Sequence, residues 1–480
     1  MSRAKVHKRT RSLTSLPGGA LPWRFIRWLY PGLRVKRWLV LFALAVLLVG
    51  MGVAFSLSPG TVPVLGSALA RALRRPAGTT VPRGALAALF LVLGVASGIV
   101  ALRGAVLSIV DALAPFASEN LGQALFWRRH RGRGLRVVAI GGGTGLPVLL
   151  RGLKRYSTNV TAIVTVGDDG GSSGQLRGEL GILPPGDIRN CLLALADTEP
   201  LMEQVFQHRF QRGSLAGHAV GNVLLGGLTE VTGDFVEAVD VASRILAVRG
   251  RVLPSTTVNL RLVAEMEDGS TVRGETAITA ANRRIARLRL EPEDAQALPA
   301  AVEAIRQADV VVMGPGSLYT SILPNLLLPE IARALQECGG LRVFVVNVMT
   351  QPGETTGYTA ADHLAAVRAH AGPVVDVVLV HVGSLDPERL VSYHEHGAQV
   401  VRVDADRLGA MGVRVLPREV ATTDGLIRHD PDRLAAAVLE EAVRTMGPPD
   451  ARSVVDYYLL QGRIRQAARD GSLDGPASHG

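Results

Sequence analysis

Residues 135–145 read Leu-Arg-Val-Val-Ala-Ile-Gly-Gly-Gly-Thr-Gly. A short β-branched run breaks into glycines, and the helix-compatible stretch Leu146 to Tyr156 follows. This is the pattern of a strand buried on both faces, a turn whose backbone can approach a phosphate, and a helix N-terminus. Gly142, Gly143, Thr144 and Gly145 are thereby candidate ligand contacts. The spacing is not the full dinucleotide fingerprint: with Gly141 and Gly143 as the first two glycines, Leu146 stands where the third belongs. Alone, the turn also fits a strand–helix corner with no ligand.

Outward from this point, Val160 to Val166 is a second buried strand, and Val310 to Met313, Val343 to Met349 and Val374 to Val382 are three more. Helical patterns cover Ile188 to Ala196, Leu201 to Phe210, Ala219 to Val231, Phe235 to Val248, Leu298 to Gln307 and Ala360 to Ala369. The alternation predicts an α/β domain over 135–447, a three-layer αβα arrangement with a mostly parallel sheet. Residues 251–292 break the rhythm. Thr257 to Ala264 and Thr271 to Ile278 flank the hairpin signal Asp268-Gly269, and Ile285 to Leu290 alternates in polarity, so a small antiparallel insertion is expected there. Asp430-Pro431 opens a last helix to about Thr445. Residues 448–480 read as a tail with one short helix at Val454 to Leu460.

The second strand ends in Gly167-Asp168-Asp169-Gly170-Gly171-Ser172-Ser173. An acid about 25 residues beyond a glycine turn is where a ribose hydroxyl is commonly gripped. Asp168 and Asp169 are candidate catalytic or ribose-binding acids. Asp168 is also a candidate Mg²⁺ ligand, since Mg²⁺ takes one or two carboxylates plus phosphate oxygens. Ser172 and Ser173 are candidate ligand contacts; the bland alternative is an Asx-turn with solvated acids. Gly186-Asp187-Ile188-Arg189-Asn190 opens a helix, where Asp187 either caps it or joins Arg189 and Asn190 in facing a cleft. His218 and Asn222 lie four residues apart at the next helix start and share a face. His218 serves either as a capping or core histidine or as a phosphate contact.

Gly314-Pro315-Gly316-Ser317-Leu318-Tyr319-Thr320-Ser321 is a second glycine turn after a strand. Its successive N–H groups can nest an anion, which makes Gly314, Gly316, Ser317, Tyr319 and Thr320 candidate contacts. Two such turns at the carboxyl ends of two strands point to one ligand carrying two phosphates in a switch-point crevice. Asn347 to Glu354 either contacts a base or sugar or is an ordinary turn. No activated nucleophile or Cys/His pair is evident, which argues against covalent catalysis. Cys191 and Cys338 match no disulfide or zinc spacing.

The net charge of +10 over 480 residues describes two different objects. Residues 1–137 hold 20 Lys/Arg against Asp111 and Glu119, and the remainder holds 32 against 40 acids. The basic character therefore belongs to the N-terminal part, and no nucleic-acid partner is expected for the main domain. Within 1–134, residues 38–58 and 84–102 are uncharged and long enough to cross a hydrocarbon core of about 30 Å. Arginines flank both runs, with Arg34, Lys36 and Arg37 before the first and Arg103 and Arg128 to Arg136 after the last. By the positive-inside rule this predicts a transmembrane helical hairpin with the main domain cytoplasmic, in a multi-pass protein of the cell membrane whose basic flanks attract lipid. Trp23, Trp28, Tyr30 and Trp38 suit an interfacial belt. Val106 to Phe116, apolar with a lone Asp111, reads as a juxtamembrane helix.

Ala139 to Gly145, Thr165 to Ser173, Gly186 to Asn190, Gly217 to Asn222 and Gly314 to Asn325, in this order and spacing, resemble the bacterial gluconeogenesis factor family, of the superfamily of 2-phospho-L-lactate transferase. The resemblance covers about 135–447. It implies a Rossmann-like three-layer fold. It also implies a site for a UDP-sugar such as UDP-N-acetylglucosamine, and a regulatory influence on cell shape and envelope precursor supply during gluconeogenic growth. The transferase relatives move phospholactate from a nucleotide diphosphate-activated donor with Mg²⁺, and their acid pair, matched here by Asp168 and Asp169, contacts the acceptor. Two readings follow: a nucleotide-sugar-binding regulator that self-associates as a homo-oligomer, or a Mg²⁺-dependent transferase. Residues 1–134 depart from the short, soluble members of the family.

Overall fold

Val137–Gly141 is buried along its whole length and lies in the interior of a seven-stranded sheet. The computed structural model describes residues 36–57, 83–113, 135–197, 200–422 and 426–446. Its strands in chain order are β1 (Val137–Gly141), β2 (Val160–Val164), β3 (Arg251–Pro254), β4 (Arg261–Met266), β5 (Thr271–Arg273), β6 (Ile285–Glu291), β7 (Val310–Met313), β8 (Leu341–Val345), β9 (Val377–His381) and β10 (Arg414–Arg418). The large sheet has the order β10-β9-β8-β7-β1-β2-β3, and every pairing in it is parallel. Because β1 and β7 are buried on both faces, helices must cover both sides, which makes three layers.

The chain runs outward from β1 to β2 to β3, then returns to β7 on the other side of β1 and runs outward again to β10. The order therefore reverses between β1 and β7. Connections leave the carboxyl ends of these two neighbours in opposite directions and open a crevice there. The two glycine turns begin at those two ends.

A second sheet, β5-β4-β6, is antiparallel and forms the expected insertion. Two details differ from the sequence reading. β3 belongs to the parallel sheet beside β2, so the insertion starts at Arg261 rather than at 251. Of Thr271 to Ile278, only β5 is a strand. Gly274, at φ +94°, breaks it, and Glu275–Ala281 is a helix that buries Ile278. The β-branched threonines and isoleucine suggested strand, and tertiary packing of that one apolar residue prevailed. β10 went unread because its charges and Pro417 obscure the alternation, as suits an edge strand. The helix Gly171–Leu180 went unread because three glycines dilute its propensity.

The chain divides into two compact units, Met1–Trp127 and Arg128–Gly480. In the first, Lys36–Leu57 and Arg83–Leu113 are helices long and apolar enough, by length and composition, to cross a membrane. They pack on each other through small residues. A Cβ at Gly94 would meet the Val49 backbone nitrogen at 2.8 Å, and one at Gly52 would meet Leu91 Cγ at 2.7 Å. Outward-facing Val40 and Val92 are 69% and 67% exposed, an apolar exterior that water disfavours. The second helix continues through Asp111 to Leu113, so Val106 to Leu113 is helical and continuous with it, and 114–116 lie outside the described residues. Trp23, Trp28, Tyr30 and the tail helix Val454 to Leu460 lie outside the described residues.

Candidate functional site

The turn after β1 is shaped by close approach. Gly143 takes φ +62°, which glycine adopts without steric cost. A Cβ on Gly142 would stand 2.7 Å from Asp187 Oδ2, and one on Gly145 would stand 2.9 Å from the Gly316 nitrogen and overlap the Pro315 carbonyl. The two turns therefore touch, backbone against backbone. Asn325, wholly buried, ties them from below by donating to the carbonyls of Gly141 at 3.2 Å and Ser321 at 2.8 Å. Asn347, two residues past the end of β8, clamps Gly316. Its Oδ1 accepts from Gly316 N and its Nδ2 donates to Gly316 O.

Between the turns lies a cleft of about 280 Å³. Gly143, Thr144, Gly145, Gly316 and Ser317 line it on the side of the turns, and Val148, Val348, Met349 and Ile427 give it an apolar wall. Arg428 and His429 complete it. These two went unread, because nothing in Arg428-His429-Asp430 marks them beyond the helix start at Pro431. His429 is fully buried, and desolvation lowers its pKa to about 4, so it is neutral at physiological pH.

Asp187 is not the N-cap of its helix, which spans Gly186–Leu195 with Pro185 in the cap position. Its Oδ2 instead accepts from Gly143 N at 2.6 Å, so one amide of the first nest already carries a carboxylate. Desolvation raises the Asp187 pKa to about 6. The Gly143 hydrogen bond opposes that rise and the Asp168 charge adds to it.

A buried polar chain stands next to it. Ser172 Oγ bonds His218 Nδ1 at 3.1 Å and accepts from Asn222 Nδ2 at 3.0 Å. Arg189 donates to Asn222 Oδ1 at 2.8 Å and to Asn190 Oδ1 at 2.9 Å. His218 precedes its helix, which begins at Val220, so the pair meets through Ser172 rather than along one helix face. Burial, then the neighbouring Arg209, pushes the Arg189 pKa down. Ser173 packs against Gly186, where a Cβ would also come within 3.5 Å of Asp168 Oδ2.

The acid pair divides. Asp168 forms an Asx-turn with Gly170 N at 2.9 Å and faces Asp187 and Glu275. Asp169 turns to the insertion, where its Oδ1 accepts from Thr276 N at 3.0 Å and Thr276 Oγ1 at 2.9 Å. It anchors the start of the Glu275–Ala281 helix and is a structural tie. Desolvation and the carboxylates of Asp168, Asp187, Glu354 and Asp169 push Glu275 up to about 9. Among the described residues, no group of three or more His, Cys, Asp or Glu converges on a metal-sized point.

Two candidates in the second turn face inward. Tyr319 and Thr320 are 2% and 3% exposed. Tyr319 OH bonds Tyr358 OH at 2.9 Å, and Thr320 Oγ1 donates to Glu354 Oε1 at 2.9 Å. The helix there opens on a π-helical turn, Leu318–Ile322, which places both side chains in the core. They support the turn; they do not line the cleft. Ser317 does line it, and donates to Gln351 Oε1 at 2.6 Å. Cys191 and Cys338 are buried free thiols.

Residues 137–421 match the family model described as 2-phospho-L-lactate transferase CofD. The chain is 44% identical to a putative gluconeogenesis factor of Nostoc, over 87% of this chain and 92% of that one. It is 49% identical to the gluconeogenesis factor of Bacillus subtilis, over 64% of this chain and 97% of that one. The crystal structure of a UPF0052 family member from Bacillus halodurans superposes with a TM-score of 0.62 at 50% identity, covering 63% of this chain and 98% of that one. A Clostridium acetobutylicum relative aligns over 455 residues, 92% of this chain. An alignment that long extends into residues 1–134, so this N-terminal region is not a departure peculiar to this chain. The family model and these relatives cover the two glycine turns and the polar group beside them: the chain belongs to the gluconeogenesis factor family, within the superfamily of 2-phospho-L-lactate transferase.

Proposed function

We propose that this protein is a membrane-anchored regulator whose crevice binds a nucleotide sugar of the UDP-N-acetylglucosamine type and whose occupied state links carbon metabolism to cell shape and envelope synthesis. The observation that carries this reading is the pair of glycine turns in backbone contact at the β1/β7 switch point, with an apolar wall suited to a base alongside. The protein acts as a homo-oligomer and has no nucleic-acid partner. A Mg²⁺-dependent transferase is the second reading. It is favoured by the buried Ser172–His218–Asn222–Arg189 chain and Asp168 beside the cleft, and by the family match. Asp168 would be the protein's ligand to Mg²⁺, with ligand phosphates supplying most of the rest, and the ion would offset charge on the diphosphate.

A thermal-shift panel of nucleotides and UDP-sugars on the full chain, with and without Mg²⁺, tests both. A ligand of the folded state adds RT ln(1 + [L]/Kd), about 2.7 kcal/mol at one hundred times Kd. UDP-N-acetylglucosamine is expected to raise the melting temperature. Asp168→Asn should weaken that shift without lowering the apo melting temperature, because it relieves repulsion with Asp187. Asp169→Ala should lower apo stability by about 1 kcal/mol through loss of the Thr276 anchor, and leave affinity intact. The regulator reading is lost if no nucleotide shifts the wild type. It gives way to the transferase if a nucleotide product is released in the presence of an acceptor and Asp168→Asn stops that release.

The membrane half of the proposal is a two-helix hairpin with both ends cytoplasmic. A reporter active only outside the membrane, fused at Gly480, is expected to stay silent. Activity from that fusion would overturn the topology.

A further inference from the structure

The cleft carries an unusual charge balance for a diphosphate site. The Gly143 amide, which a phosphate would be expected to use, is held by the Asp187 carboxylate at 2.6 Å. Behind Asp187 stands Asp168, whose Oδ2 would lie 3.5 Å from a Cβ on the adjoining Gly186. Among the described residues that line the cleft, Arg428 alone carries a positive charge, and His429 is neutral. A dianionic ligand entering here meets a carboxylate already seated at the first turn.

Resting on the nucleotide-binding reading, we propose that Asp187 makes this cleft proton-linked: seating a diphosphate against the β1 turn is accompanied by uptake of one proton on the Asp187 carboxyl. The step is a proton equilibrium. Solvent supplies the proton, the carboxylate becomes a carboxylic acid, and no bond in the ligand changes. Every element around Asp187 contributes to the field it feels. Asp168 on the loop after β2 opposes its charge, while Glu275 on the insertion helix, pushed up to about 9, is protonated near neutral pH and adds none. Arg189, two residues on in its own helix, favours the charge. Cys191, on the same helix, is a buried thiol whose pKa is raised well above its ordinary value, so it is neutral. Thr165 and Ser321, the other neighbours of the turn, do not titrate.

The sign is fixed by the free state. With a pKa near 6 there, Asp187 is mostly protonated at pH 5 and mostly ionised at pH 7.5. A bound diphosphate raises that pKa further, so affinity is highest below pH 6 and falls as pH rises through it. The fall is about tenfold for each unit by which the ligand raises the Asp187 pKa.

Titration calorimetry of the full chain with UDP-N-acetylglucosamine tests this, since the diphosphate diester does not titrate near neutrality. In two buffers of different ionisation enthalpy at pH 7, the observed heats should differ by an amount corresponding to a fraction of a proton taken up, at most about 0.9, because about a tenth of a proton is already bound in the free state. Asp187→Asn should abolish the difference and flatten the pH dependence. If that variant does not fold, Asp168→Asn should reduce the uptake at pH 7 by lowering the Asp187 pKa in both states. Binding with identical heats in both buffers and unchanged affinity from pH 5.5 to 7.5 would overturn the proton link and leave the nucleotide site standing. An absence of binding heat for UDP-N-acetylglucosamine, UDP, GDP and ADP at every pH would overturn both.

Discussion

Gly145→Ala is expected to abolish nucleotide binding and to cost at least about 1–3 kcal/mol of stability, the ordinary range for forcing a methyl group into a filled space. The reason lies in what surrounds the position. The new Cβ would stand 2.7 Å from the Pro315 carbonyl carbon and 2.9 Å from the Gly316 nitrogen. These are main-chain atoms, and no rotamer change relieves the overlap. The turn after β7 is also pinned from two sides, by Asn347 on Gly316 and by Asn325 beneath. The two turns can accept the methyl only by separating, and their separation sets the width of the cleft between them. Gly316→Val is a gentler probe, since its Cβ would have 3.4 Å to the Gly142 carbonyl, although φ +155° is unfavourable for valine. Denaturant melts and calorimetric binding on both variants separate the effects. Wild-type affinity in a folded Gly145→Ala protein would show that contact between the turns is irrelevant to ligand binding.

What the sequence made legible was the framework of the site. The β-branched runs ending in glycine at Gly141 and Gly314 sit at neighbouring strand ends, and the switch point that the two turns required is the β1/β7 reversal. Side-chain direction was not legible. Asp168 and Asp169 are adjacent, yet one faces Asp187 and the other holds the Thr276 amide of an inserted helix more than a hundred residues away. Tyr319 and Thr320 follow a nest-forming turn, but a π-helical turn carries both into the core. Arg428 and His429 reach the cleft from the far end of the domain, and no local pattern foretells such a return. Local periodicity reports burial of elements; it does not report which distant carboxylate or carbonyl a polar side chain will meet.

Glu354 shows that difference best, and its removal should have the second large effect. The sequence offers it only as the last residue of a stretch that either contacts a base or sugar or is an ordinary turn, with no sign of a buried brace. The carboxylate is 2% exposed and is ringed by donors: Tyr319 N at 3.1 Å to Oε2, Thr320 Oγ1 at 2.9 Å and Gln351 Nε2 at 3.1 Å to Oε1. Burial pushes its pKa up, and the hydrogen bonds from Thr320, Tyr319 and Thr279 oppose that rise. A ring made of donors matches an ionised carboxylate, which accepts only. Gln351 in turn holds Ser317 in the cleft, so Glu354 braces the second turn from beneath through both its backbone and a side chain. Glu354→Ala leaves the buried Tyr319 amide and Thr320 hydroxyl without partners, at roughly 1–3 kcal/mol each, and should cost about 3 kcal/mol or more overall. Glu354→Gln should cost clearly less. Its carbonyl can keep the Tyr319 amide, the Thr320 hydroxyl can rotate to accept, and only the Gln351 amide must turn over. The turned-over Gln351 amide can still donate through Nε2 to Ser317 Oγ, so affinity should largely survive in the glutamine variant and fall in the alanine one. Urea midpoints for the two variants, read beside nucleotide titrations, give both quantities. Equal stability of Glu354→Ala and wild type would show that this buried carboxylate does not support the second turn.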